Sequence, residues 1–227
     1  MDCGVTGRRP IMKRSDSVRL IPICLLALAP LLAALIAYQY LPARIPTHWD
    51  ASGVITYSDR WFILPLSAIS AVVTGLMFVT RRIDPKRENY TRFSDAYQTF
   101  ILIFDVFMLA ITLFVITESV RPGTLDAQVF VTVLVGILIV VCGNLMPKFK
   151  HNYFIGIRTP WTLANETVWY RTHRLCGVVW VIGGLVIVLS AFLPARVSLP
   201  VLLTAIAVLV LVPYIMSYVF FRREQGT

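Results

Sequence analysis

Three groups of residues in this chain have types and spacings that could do chemistry. The first is a single acid, Asp105, near the middle of the apolar run YQTFILIFDVFMLAITLFVIT. A carboxyl group there can hold a proton or accept hydrogen bonds. Left charged in hydrocarbon it would cost about 2.5–3.5 kcal/mol. No apolar run of the chain carries Lys or Arg to pair with it. Asp105 is therefore expected to be protonated, or hydrogen-bonded to a polar side chain of another helix, with Asn144 as one candidate neighbour. Structural bonding and proton or substrate coupling are the two roles open to it.

The second group lies in NYFIGIRTPWTLANETVWYRTHRLCG, from Asn152 to Gly177. Asn165, Trp169, His173 and Gly177 recur every four residues, which places them on one slowly drifting helical stripe. Amide, indole, imidazole and glycine do not suit a lipid-facing surface. The stripe is expected to pack on the preceding segment, Lys148–Trp161, folded back against it. Pro147 ends one apolar run, Gly156 and Pro160 punctuate a turn, and Thr162 suits the N-cap of a helix starting at Leu163. Unbroken to Pro194, that helix would run roughly 46 Å, about 15 Å beyond the hydrocarbon core. Arg158 and Arg174 could meet Glu166, lipid phosphate or a partner, with Trp161 and Tyr170 at the interface. This loop reads either as a clamp or as a docking surface or gate.

The third group is the loop LPARIPTHWDASGVITYSDRW, Leu41–Trp61. Its prolines end the preceding helix. Asp50 and Gly53 bracket a type I turn, and Trp49 and Trp61 suit a membrane interface. His48 and Asp50 could contact a ligand or, with Asp59, a metal. Three such groups in one loop fall short of a metal signature, so the open readings are a turn with aromatic anchors or a recognition surface.

Enzyme chemistry has no foothold in these groups. There is no Ser or Cys with a base at a recognised spacing, no H-E-x-x-H and no phosphate-cradling glycine loop. His151 and His173 alone do not make a metal site, and Cys3, Cys24, Cys142 and Cys176 have no zinc spacing. The expectation is a non-enzyme without cofactor or metal.

The elements that carry these groups follow from composition. The 227 residues are 57% hydrophobic and 15% charged, outside the soluble range of about 45–50% and 25%. Lipid is the expected solvent. Six runs have membrane length, Leu20–Leu41, Trp61–Thr80, Tyr97–Thr117, Ala127–Met146, Leu175–Leu193 and Leu199–Phe221, each roughly 30 Å as helix. The fold class is thus an all-α integral membrane protein with six transmembrane helices.

The net charge of +9 could suggest nucleic acid, but its distribution suggests topology instead. Of the Lys and Arg residues, only Arg44, Arg60, Arg121 and Arg196 fall in the second set of loops; the other 17 of 21 lie in the tails and the alternate loops. By the positive-inside rule both termini are cytoplasmic. No reading module for nucleic acid is present, so no direct nucleic-acid contact is expected. GRRPIMK, Gly7–Lys13, resembles a twin-arginine export signal, but the run behind it is longer than a signal's apolar region. It reads as the basic flank of an uncleaved first span.

The expected organisation is a basic cytoplasmic tail (1–19), two spans with the extracellular loop 42–60 between them (20–80), a basic inner loop with spans three and four (81–146), a cytoplasmic loop 147–174 with spans five and six (147–221), and a short tail (222–227). No internal repeat links the two three-span halves, which weakens an inverted-repeat transporter reading.

Two stretches resemble known families. RIPTHWDASG after a first span resembles the extracellular loop of the DUF1648 family, on Pro46, His48, Asp50 and Gly53. The inner segment is similar to the SdpI family of membrane immunity proteins, on Asn152, Gly156, Arg158, Pro160, Trp161, Asn165, Trp169, His173, Arg174 and Gly177. The resemblance implies a multi-pass bacterial plasma-membrane protein that protects its cell from a secreted peptide toxin. It further implies signalling by capture of a transcriptional repressor at the inner face. The alternative from the residues alone is a small proton-coupled transporter or permease using Asp105.

Overall fold

A computed structural model describes residues 14–50 and 53–226. The basic stretch up to residue 13, with GRRPIMK and Cys3, lies outside the described residues, as do Ala51 and Ser52 of the expected turn. Six helices are long and apolar enough to cross a membrane. They are α1 (Arg14–Ala37), α2 (Ile63–Ile83), α3 (Ser94–Val120), α4 (Ala127–Leu145), α6 (Glu166–Ser190) and α7 (Ala195–Gln225), with a short α5 (Pro160–Ala164) between the fourth and fifth spans. The protein is thus a multi-pass membrane protein.

Two sub-bundles share the load. In the first, α1, α2 and α3 each bury a stripe spaced four, three and four residues apart. The stripes are Ile23, Ala27, Pro30 and Ala34 on α1, Ile63, Ser67, Ser70 and Thr74 on α2, and Ile101, Asp105, Met108 and Thr112 on α3. That spacing is the seam of left-handed helix packing. Large apolar side chains point outward instead; Ile36, Val72 and Val106 are among those exposed, as suits a bilayer.

In the second sub-bundle, α4 and α6 run antiparallel and touch through glycines. A Cβ on Gly143 would lie 2.8 Å from the Gly177 carbonyl oxygen, and one on Gly136 would lie 2.9 Å from that of Gly184. Glycine pairs seven residues apart on each helix thus let the backbones meet, which is how helices associate where burial of apolar surface gives no drive. The α7 helix completes the unit, its Ala205 and Leu209 clustering with Ile187 of α6.

Irregular structure gathers at the two ends. At one end residues 44–49 and 55–59 form an antiparallel hairpin, β1 (Arg44–Trp49) and β2 (Ile55–Asp59). The sequence points to a turn with aromatic anchors or a recognition surface; the structure adds a strand on each side of the turn. The Pro46–Tyr57 and His48–Thr56 pairings place a bulge at Thr47, whose hydroxyl bonds Ser58 at 2.9 Å. The hairpin sits on α3 through Trp49 and Phe114, 5.0 Å apart. At the same end Glu118 accepts from the backbone of Gly123 and Leu125, both at 2.8 Å, and so closes the α3–α4 loop. The opposite end, hereafter the basic end, collects residues 84–93, 146–165 and the end of α7.

Candidate functional site

The basic end is a latch between two loops, built around an acid that did not stand out in the sequence. Asp84 ends α2 and is 1% exposed. One carboxylate oxygen accepts from the Lys86 backbone at 2.7 Å; the other accepts from the Tyr90 hydroxyl and the Tyr153 backbone, each at 3.0 Å. The last of these ties the α2–α3 loop to the α4–α6 loop. Burial and the neighbouring Asp84 push the Tyr90 phenol well above its usual range, so its proton stays in place to hold the acid.

Asn152 builds the second loop from within. Its carbonyl accepts from Phe154 and Ile155 backbone groups at 2.9 and 2.8 Å, and its amide donates to the Lys150 and Ile155 carbonyls. All four of the bonds a buried Asn side chain can make locally are satisfied. Asn89 donates to the His151 carbonyl at 2.7 Å, and the Lys86 ammonium donates to His151 Nδ1 at 2.6 Å. That bond fixes the neutral ring with its proton on Nε2. Burial, then the Lys86 charge, hold His151 below the ordinary histidine range.

The predicted stripe supplies the floor. Trp169 and His173 are buried, and their rings stack 4.0 Å apart, with the His151 ring tilted against the indole at 5.1 Å. Trp169 Nε1 donates to the Phe149 carbonyl at 3.0 Å. His173 Nδ1 donates to the Trp169 carbonyl, and its Nε2 accepts from the Ile157 backbone at 3.0 Å. Gly156 crosses this ring at φ +107°, so close that a Cβ would overlap His173 Nε2. Of the stripe, Trp169 and His173 pack on residues 148–161, Gly177 meets Pro147 and Gly143 instead, and no part of Trp169 or His173 is left to meet a partner.

Caps correct one part of the sequence reading. Thr162 is not an N-cap. Thr159 is, in a capping box in which its hydroxyl accepts from the Thr162 backbone and the Thr162 hydroxyl accepts from the Thr159 backbone. Pro160 takes the first helical position, where a missing N–H costs nothing. The continuous helix from Leu163 is also broken. Asn165 turns extended at φ −143° and caps α6, its side chain accepting from Thr167 and Val168. The overhang predicted for α6 belongs to α7, whose 31 residues span about 46 Å. Thr159 reaches α7 through Ser217 at 3.0 Å, and Trp161 packs on Tyr214 and Tyr218.

Arg158 and Arg174 do not meet Glu166 among the described residues. Glu166 accepts from Tyr170, and Arg171 pairs with Glu224 at 2.6 Å. Arg158 donates to the Tyr153 carbonyl at 2.9 Å and is exposed, as is Arg174. Tyr153 and Phe154 are 40% and 36% exposed. The outward surface of the latch is thus Tyr153, Phe154 and Arg158, held on a buried, hydrogen-bonded base. Such an arrangement can dock or anchor.

At the hairpin end the predicted residues divide. Pro46 is buried and supports the strand; it is not available for recognition. Asp50 and Gly53 make the turn, with the Asp50 carboxylate accepting from Val54 at 2.8 Å and Gly53 at φ +86°. His48 is exposed beside exposed Thr47, Thr56 and Tyr57. Within the first bundle Asp105 is held by Ser70 and Thr74, at 2.7 and 2.8 Å. Asn144 is not its neighbour: it is exposed at the basic end of α4, too far along the span. Among the described residues no cluster of three His, Cys, Asp or Glu could hold a metal ion.

Residues 148–217 match the SdpI/YfhL protein family, and residues 25–70 match the domain of unknown function DUF1648. The region matched to SdpI/YfhL is the longer of the two. The region spans the second loop of the latch, its floor and most of α7; the DUF1648 match covers most of α1, the hairpin and the start of α2. The chain is also similar to "Immunity protein SdpI" of Bacillus subtilis (strain 168), at 24% identity over 94% of this chain and 99% of that protein. No solved structure matches the chain. Asp84, Lys86, Asn89 and Tyr90 fall outside both family matches yet hold the second loop of the latch in place.

Proposed function

We propose that the protein is a membrane immunity protein: its hairpin end faces outward and meets a secreted peptide toxin, and its basic end faces the cytosol. The observation that carries the reading is the likeness to an immunity protein along nearly the full length of both chains. The charge asymmetry supports the orientation, since 17 of 21 Lys and Arg residues lie in the tails and loops of the basic end. On this reading His48, Thr47, Thr56 and Tyr57 of the hairpin form the recognition face. The Tyr153, Phe154 and Arg158 surface is where a transcriptional repressor would be held.

Expression in a toxin-sensitive bacterium tests the reading. Survival is expected to rise against the cognate peptide, and to return to the unprotected level in a His48→Ala, Tyr57→Ala double variant that still accumulates in the membrane. Killing that stays unchanged across a panel of secreted peptide toxins would remove the proposal. Arg158→Ala separates docking from clamping. Its single bond to an exposed carbonyl contributes about 1 kcal/mol or less, so accumulation and thermal stability are expected to stay near wild type while signalling falls. A variant that fails to accumulate would instead make Arg158 part of the clamp.

A further inference from the structure

Asp105 is fully buried, and its two oxygens are treated unequally. Ser70 and Thr74, one turn apart on α2, both donate to Oδ1, whereas Oδ2 has no hydrogen-bond partner though it is equally buried. A charged carboxylate would leave half its charge on an oxygen that no donor reaches, at the most costly depth of the bilayer. A neutral acid fits better: Oδ1 is then the carbonyl oxygen that accepts two hydroxyls, and Oδ2 carries the proton.

A proton on Oδ2 needs an acceptor, and the third helix of the bundle offers one. Pro30 lies inside α1 on the buried stripe. Having no N–H, it leaves the Leu26 carbonyl without its helical donor, on roughly the same face. Register places this carbonyl at the right depth. Ile23 shares a buried cluster with Ile101, and Ala34 shares one with Phe114. α1 and α3 run the same way, so these pairs put Asp105 beside residues 25–27 of α1.

We propose that Asp105 is a proton-binding site that joins the three helices around the hairpin. Ser70 and Thr74 of α2 hold Oδ1, and the proton on Oδ2 is donated to the Leu26 carbonyl of α1. The other titratable groups on these helices and on α4 stand apart. Arg14, Asp16 and Arg19 open α1, Arg81 and Arg82 close α2 and Asp95 opens α3, all at the basic end; within α1 Cys24 is exposed and Tyr38 follows at the hairpin end; α2 has none between Ile63 and Thr80; on α3 Tyr97 lies two turns below and donates to the Met77 carbonyl, while Glu118 closes the α3–α4 loop; α4 carries Cys142 near the basic end. No cation faces Asp105 from any of them. Loss of the proton would place a bare carboxylate between the helices, so proton occupancy bears on how the hairpin is held.

Infrared spectroscopy of the full chain in lipid nanodiscs tests this. A protonated-carboxyl band is expected at neutral pH, lost in Asp105→Asn and shifted in Pro30→Ala, which returns a helical donor to the Leu26 carbonyl. Asparagine mimics the neutral acid in both its bonds, so Asp105→Asn is expected to melt near the wild type at neutral pH, whereas Asp105→Ala melts lower. Raising the pH is expected to lower the wild-type melting temperature more than that of Asp105→Asn. Absence of the band at neutral pH would overturn the proposal. So would a rise in wild-type melting that needs sodium rather than potassium, since the ligand would then be the metal cation. An unmoved band in Pro30→Ala would overturn the α1 acceptor.

Discussion

Replacing Asp84 by alanine is expected to unfold the basic end while leaving the six spans inserted. The carboxylate is buried and gathers three donors from two loops. Truncation leaves the Lys86 and Tyr153 backbone groups without acceptors and the Tyr90 hydroxyl with only a long 3.4 Å bond to Asn152 Oδ1. Each such group costs about 1–3 kcal/mol when buried; with part of the backbone regaining water, the sum is about 3–6 kcal/mol. That is a large share of the stability of a typical domain. Asp84→Asn is expected to be nearly as harmful, because its amide points a donor at donors. Limited proteolysis in membranes reads the outcome: cleavage within 148–159 is expected to rise sharply in both variants. A loop as resistant as wild type would mean that Asp84 is dispensable to the latch.

The residues that make the latch were unevenly legible. Trp169, His173 and Gly177 could be placed because a four-residue spacing on a helix is a strong constraint, and the structure packs them as that spacing requires. The buried stripe Ser67, Ser70 and Thr74 obeys the same rule on α2 and could have been read; small hydroxyl residues inside an apolar run simply carry little contrast. Asp84 was hidden for a different reason. It sits in RRIDPKRENY, where its neighbours' charge invites a reading of solvent and topology. Its partner Tyr153 lies 69 positions away, and no local pattern announces such a bond. The caps show the limit of local rules from the other side. Thr159-Pro160 is the better start by backbone chemistry, yet Thr162 before an apolar run looked equally valid; only the Thr159–Thr162 exchange of bonds, with Ser217 behind it, decides. The hairpin escaped because it has no alternation of apolar and polar residues long enough to mark a strand. It is held by its bulge, its turn and the contact of Trp49 with Phe114.

Gly156→Ala is expected to damage the latch well beyond the strain of its backbone alone, and a second glycine of positive φ shows why. Gly156 and Gly53 both have positive φ, +107° and +86°. A side chain strains the backbone at either, at a cost of about 1–3 kcal/mol. The space around them differs. Nothing lies within 4 Å of a Cβ at Gly53, whereas at Gly156 a Cβ overlaps His173 Nε2 and comes within 3.3 Å of the Trp169 ring. The imidazole cannot step aside, because both its nitrogens are bonded and one face lies on the indole. Overpacking a rigid site adds roughly 1–3 kcal/mol. Gly53→Ala is therefore expected to lower stability modestly, and Gly156→Ala to lower it by about twice as much, with loss of the Ile157 bond. A double-mutant cycle isolates the contact: in a His173→Ala background Gly156→Ala should cost no more than Gly53→Ala does in the wild type. If instead the two glycine variants melt together in the wild type, the imidazole yields freely, and the tight crossing of loop and helix is not what holds the latch.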